Sequence, residues 1–220
     1  MILTSLFMSL IFLSSALAAL GIPVPDHLLP PQVCHIRFTN PSGAVTSYCS
    51  GTLVSANQLL TAGHCFESST GTIPPHQIIC PDGSETSANS LQFSPSYSPR
   101  RMADSNESLR RFDAVLVTLE TPVQLAGIPL ARTQEDLHSL IRPSNSCAVF
   151  GYGGNQPAEE NFGRLKGVYI DPAYLTASNE DPIFVRGIGG SNSGLVEHGD
   201  SGGALACLNH NQQWVLIGNT

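Results

Sequence analysis

Beyond residue 20, apolar residues come in short runs separated by polar and turn-forming ones. The runs fall at 33–38, 48–54, 58–62, 77–80, 114–119, 146–152, 165–170, 183–185, 204–208 and 214–217. Each has strand length, many carry β-branched residues, and Gly, Pro, Asn and Ser lie between them. Only 134–140 has a helical spacing of apolar positions. Segments 68–75 and 81–111 hold most of the Ser, Thr, Pro and Asn of the first half and read as loops, and 125–143 reads as a connector. Many short strands with polar turns predict an all-β protein, a sandwich or a barrel.

The first twenty residues, MILTSLFMSLIFLSSALAAL, change the picture of where the protein works. They contain no charge and close on Ala16-Leu17-Ala18, a small-x-small pattern. This predicts a secretory signal over residues 1–19, cleaved on export. A retained anchor is the weaker reading, because the run barely reaches the ~20 residues that span a bilayer. The expected protein is secreted or periplasmic, without stable membrane association. Six cysteines follow, Cys34, Cys49, Cys65, Cys80, Cys147 and Cys207, and an even number in an exported chain predicts disulfides. Their spacing leaves the pairing open. No C-x-x-C or H-E-x-x-H occurs, so neither a metal nor another cofactor is expected. With 10 basic against 17 acidic residues and a net charge of −7, the chain lacks the basic face of a nucleic-acid binder. The pairs Arg100-Arg101 and Arg110-Arg111 read as solvated loop charges, and Asn106-Glu107-Ser108 is a glycosylation sequon.

Three polar residues stand out once they are taken together. His64 is the last residue but one of the stretch CSGTLVSANQLLTAGHC, Asp113 opens an apolar run in RRFDAVLVTLE, and Ser201 sits in HGDSGGALAC. Alone, each has a bland explanation: a structural histidine, a strand-capping aspartate, a serine in a glycine turn. Hydrolysis by serine needs a hydroxyl, a base to take its proton and a third group to orient that base, and the order His, Asp, Ser supplies all three. GDSGG also fits the G-x-S-x-G elbow of α/β-hydrolases, but that fold needs its acid and histidine after the serine and alternating helices. Only His210 follows Ser201.

The stretch from Cys49 to Cys65 ending TAGHC, with FDAVLVTLETPV, CAVFGYGG and GDSGGALAC in that order, resembles the chymotrypsin–trypsin family of serine peptidases from about residue 32 to 220. The resemblance implies two six-stranded antiparallel β-barrels with the active site between them. Residues 20–131 would form the first, with His64 and Asp113, and residues 132–220 the second, with Ser201. It implies a general base at His64, an orienting Asp113, a nucleophile at Ser201 and an oxyanion hole of the Gly199 and Ser201 N–H groups. It pairs Cys49 with Cys65 and Cys147 with Cys207, and leaves Cys34 to Cys80. A monomer acting on polypeptide substrates is expected, and the alternative is a non-catalytic relative that keeps the fold for binding.

Three departures carry expectations of their own. Such families expose an Ile-Val-Gly-Gly type terminus that pairs with the aspartate before the serine; Asp200 is present, but Ile22 is the nearest substitute for that terminus. Leu195 falls at the base of the specificity pocket and implies cleavage after apolar or small residues, while Glu197 stands where the family has a cysteine. The sequence ends at WVLIGNT, before the family's last strand and helix. The second barrel is therefore expected to be incomplete, and the chain expressed alone poorly stable and at best weakly active.

Overall fold

The computed structural model describes residues 22–67, 73–74, 76–95, 97, 112–154, 163–170, 175–176, 184–185 and 198–220. The signal, both arginine pairs, the sequon, Leu195 and Glu197 lie outside the described residues.

Thirteen strands and one short helix make up the described regular structure, apart from single 3-10 turns. In the first half these are β1 (Val33–Thr39), β2 (Val45–Ser55), β3 (Gln58–Thr61), β4 (His76–Ile79), β5 (Glu85–Thr86), β6 (Ala88–Phe93) and β7 (Val115–Leu119). They form one antiparallel sheet in the order β5-β4-β1-β2-β3-β7-β6. Its two edge strands, β5 and β6, are separated only by Ser87, so the sheet must curl until its edges meet there. His76 closes the seam, its Nε2 accepting the Ala88 N–H at 2.7 Å. Inside the curl sit Ile36, Leu53, Leu59, Ile78, Val115 and Val117, each at most 1% exposed. Truncating one of the larger of these to Ala costs about 2–5 kcal/mol.

β5 and β6 correct the reading of 81–111 as loop. β6 reads ANSLQF and has no buried position, with only Ala88, Leu91 and Phe93 packed against the core and a register shift between Ala88 and Ser90. Backbone pairing with β7 holds it in the sheet, and its sequence offers no apolar run to reveal it.

The helix α1 (Gln134–Leu140) follows the predicted span and opens on a reciprocal cap. Thr133 Oγ1 accepts the Asp136 N–H at 3.0 Å, and Asp136 Oδ2 accepts the Thr133 N–H at 3.1 Å. Then come β8 (Cys147–Gly151), β9 (Lys166–Ile170), β10 (Leu175–Thr176), β11 (Phe184–Val185), β12 (Ala204–Leu208) and β13 (Trp214–Asn219). Four of these form a second antiparallel sheet, β13-β12-β8-β9, and β10 pairs with β11 apart from it.

β8 is buried at all five positions because apolar layers lie on both its faces. Cys147 and Val149 point to one cluster with Leu205, Cys207 and Val215, while Ala148 and Phe150 point to another with Val24, Val33 and Ile128. The second cluster also takes in Val54 and Leu60 of the first sheet and so joins the two sheets. The segment 22–24 lies along β9: Tyr169 N–H donates to Ile22 O and Val24 N–H to Gly167 O, both at 2.8 Å. The outer edge of β13 is bonded to the connector, Ala131 N–H to Leu216 O and Leu216 N–H to Pro129 O.

Three disulfides link Cys34–Cys80, Cys49–Cys65 and Cys147–Cys207. The last joins directly opposed residues of β8 and β12.

Candidate active site

Strand pairing brings His64 to Asp113. The antiparallel register of β3 and β7 sets Thr61 opposite Val115. The residues just past the end of β3 and just before the start of β7 therefore meet at one corner of the sheet. There a 3-10 turn, Gly63–Phe66, turns His64 back toward Asp113. Asp113 grips the turn with both oxygens: Oδ2 lies 2.6 Å from His64 Nδ1, and Oδ1 accepts the His64 backbone N–H at 2.8 Å. The carboxylate facing Nδ1 places the ring proton there and leaves Nε2 as the acceptor. The Asp113 side chain is 16% exposed and that of His64 34%, so the carboxylate is the more covered of the two. Asn219 Nδ2 donates to Asp113 O at 3.2 Å and ties this corner to the end of β13.

Tyr97 covers the same turn. Its Cε2 lies 2.7 Å from where a Cβ on Gly63 would be, so only glycine admits the ring there. Its hydroxyl donates to Glu67 Oε2 at 3.2 Å, and the ring stacks on Phe93. Burial, then the nearby Glu67 and Asp113 carboxylates, push the Tyr97 phenol well above its usual range and keep it a donor.

Ser201 is held by its backbone. Its carbonyl accepts the Ser50 N–H at 2.8 Å, and Ser50 Oγ donates to Gly199 O at 2.7 Å. Gly202 has φ +80°, and a Cβ there would lie 1.9 Å from Thr61 Oγ1 and 2.5 Å from Ser50 O. Glycine is therefore demanded by both conformation and space. Asp200 Oδ1 accepts the Gly153 N–H at 2.7 Å, and a Cβ on Gly151 or Gly153 would collide with its carboxylate. At the far side Thr220 N–H donates to Gly203 O at 3.0 Å, and its hydroxyl donates to Asp200 O. The N–H groups of Gly199 and Ser201 donate to no acceptor among the described residues.

The Cys49–Cys65 bridge touches both groups. Cys65 Sγ lies 3.9 Å from His64 Nε2 and 3.7 Å from Ser201 O. His64 and Ser201 thus flank one sulfur, and no hydrogen bond joins them among the described residues. Cys49, His64 and Cys65 present close donor atoms, but the two sulfurs are bonded to each other and offer no thiolate to a metal.

Ser50, Thr61, Tyr97, Tyr152 and Asn219 were not singled out by the sequence. The only local signal for Ser50 is its place beside Cys49 in the stretch leading to His64.

The trypsin family model matches residues 23–220. The chain belongs to the trypsin family. Among curated relatives, this trypsin-family chain is 26% identical over 178 residues to chymotrypsin-like elastase family member 1 of Rattus norvegicus, covering 74% of this chain and 64% of that one. It is 30% identical over 173 residues to the cercarial protease of Schistosoma mansoni, covering 71% and 64%. A trypsin of Saccharopolyspora erythraea is 26% identical over 180 residues, covering 79% and 76%. The chain thus spans 64% of the length of the first two relatives. Among solved structures, a Glu endopeptidase in complex with MPD superposes with a TM-score of 0.58 at 15% identity, covering 91% of this chain and 85% of that one. At that identity the likeness speaks for the fold.

Proposed function

We propose that this chain is a secreted serine endopeptidase that cleaves peptide bonds through an acyl-enzyme. The observation that carries the proposal is the two-oxygen grip of Asp113 on His64, with Nδ1–Oδ2 at 2.6 Å, in a chain of this family. His64 Nε2 takes the proton of Ser201 Oγ as the oxygen attacks the scissile carbonyl. The imidazolium that forms is stabilised by Asp113 and then protonates the leaving amine. Water, deprotonated by the same nitrogen, attacks the ester and frees Ser201. The negative oxygen of each tetrahedral species is received by the Gly199 and Ser201 N–H groups, which have no other acceptor among the described residues. Residues 20–131 supply the base and its partner, and 132–220 the nucleophile. Leu195 makes apolar or small residues the preferred side chain before the cleaved bond.

Ser201→Ala should reduce hydrolysis of a peptide library by about 10⁴-fold or more while leaving the circular dichroism spectrum unchanged. Retention of most of the activity by this variant would overturn the proposal.

A further inference from the structure

Ser50 lies on β2, in the first sheet, and is fully buried. Every polar group it owns is engaged. Its N–H donates to Ser201 O at 2.8 Å, and its carbonyl accepts the Thr61 hydroxyl at 2.6 Å. Its Oγ donates to Gly199 O at 2.7 Å and accepts the Tyr152 N–H at 2.9 Å. Two of these bonds reach carbonyls on either side of Asp200. A peptide plane fixed at its carbonyl is also fixed at its N–H. Ser50 thus sets the planes 199–200 and 201–202, on either side of the plane 200–201 that carries the Ser201 N–H and whose Asp200 carbonyl accepts the Gly203 N–H and the Thr220 hydroxyl. The plane before them is set by Gly154, whose N–H donates to His198 O at 3.1 Å and so turns the Gly199 N–H the other way. Tyr152, on the Ser50 hydroxyl, is two residues from Gly154 and carries that registration back to the same atom.

We infer that Ser50 is a positioning residue for the oxyanion-binding amides: its side chain, reaching from the first sheet, holds the Gly199–Ser201 backbone in the conformation that leaves two N–H groups converging on the reacting carbonyl. This rests on the peptidase reading for its kinetic consequence, but the hydrogen bonds stand without it. The effect belongs to the transition state. Substrate binds through its side chain and flanking residues, whereas the amides matter when the carbonyl oxygen becomes negative.

The test uses Ser50→Ala beside Thr61→Val, which removes the neighbouring bond to Ser50 O but leaves the Ser50 hydroxyl in place. Ser50→Ala should lower kcat by about 10- to 100-fold with KM within about threefold. It should weaken a peptide boronate, whose adduct carries an oxygen in the same place, by a matching factor. Thr61→Val should leave kcat within about threefold at comparable loss of thermal stability. Equal kcat losses in both variants, or a Ser50→Ala effect confined to KM, would overturn the inference. If the unmodified chain hydrolyses nothing, the peptidase reading fails, and amide exchange decides the positioning alone. Faster exchange at Gly202 and Gly203 in Ser50→Ala, but not in Thr61→Val, supports it; unchanged exchange in both overturns it.

Discussion

The His64–Asp113 corner and the Ser201 loop are positioned by opposite means. At the corner, side chains do the holding: a carboxylate binds a ring nitrogen and a backbone N–H on residues that strand register has already brought together. In the loop, the backbone is what is held: carbonyls of Gly199, Asp200, Ser201 and Gly203 are each engaged, and no hydrogen bond fixes the Ser201 side chain among the described residues. A group that must be oriented and charged benefits from a partner of opposite charge. A nucleophile needs its hydroxyl unencumbered, so its position has to come from the main chain, and glycine is the residue that lets the main chain come close.

The comparison breaks first where the loop has no room. In Gly202→Ala the added Cβ meets Ser50 O and Ala62 N at 2.5 and 2.6 Å, in a backbone conformation that L-residues avoid. Strain and overpacking together should cost about 4 kcal/mol. Chemical denaturation measures it, and a loss below about 1 kcal/mol would mean that the loop is not held as described.

The element between the two regions gives the next largest effect. Cys49 and Cys65 close a loop with a sequence separation of 16, for which chain entropy gives about 3 kcal/mol. Replacing both by alanine should lower stability by that amount and reduce activity more than the Cys34–Cys80 replacement does, since only the former bridge touches both His64 and Ser201. Equal activity losses would separate the bridge from the site.

The smallest effect comes from a histidine outside the proposed chemistry. His35 is 3% exposed and stacked between Tyr48 and Tyr152, with Nδ1 taking the Arg37 Nε–H at 3.4 Å and Nε2 without a partner among the described residues. Burial first, then the Arg37 charge, lowers its pKa to about 4. The unfolded chain takes up this proton near pH 6.5 and the folded protein only near pH 4, so stability is full above pH 6.5 and falls as the pH drops toward 4. At pH 5 the loss from this group should be about 2 kcal/mol, and His35→Phe should flatten the acid limb of the stability curve. An unchanged acid limb in that variant would assign acid sensitivity elsewhere.

The positions of the proposed site are legible in the sequence because each lies in a local pattern. His64 sits between a strand and a bridged cysteine, Asp113 at the mouth of a strand, and Ser201 among glycines that steric crowding requires. The helix was legible from the spacing of its apolar positions, and the structure adds a cap in which Thr133 and Asp136 satisfy each other within one turn. β6 was not, because it is an amphipathic strand of polar residues held by backbone pairing. Ser50 was not, because its partners Gly199 and Tyr152 lie 149 and 102 positions away, and a buried serine has no composition or spacing to mark it.

The central claim is that Ser201 is a nucleophile activated by His64, and covalent labelling tests it without knowledge of the substrate. The folded protein should react with a fluorophosphonate probe once per chain, with mass mapping placing the adduct on Ser201, and His64→Ala should abolish the reaction. A folded, disulfide-bonded protein that stays unlabelled, or that is labelled equally with His64 replaced, would contradict the account.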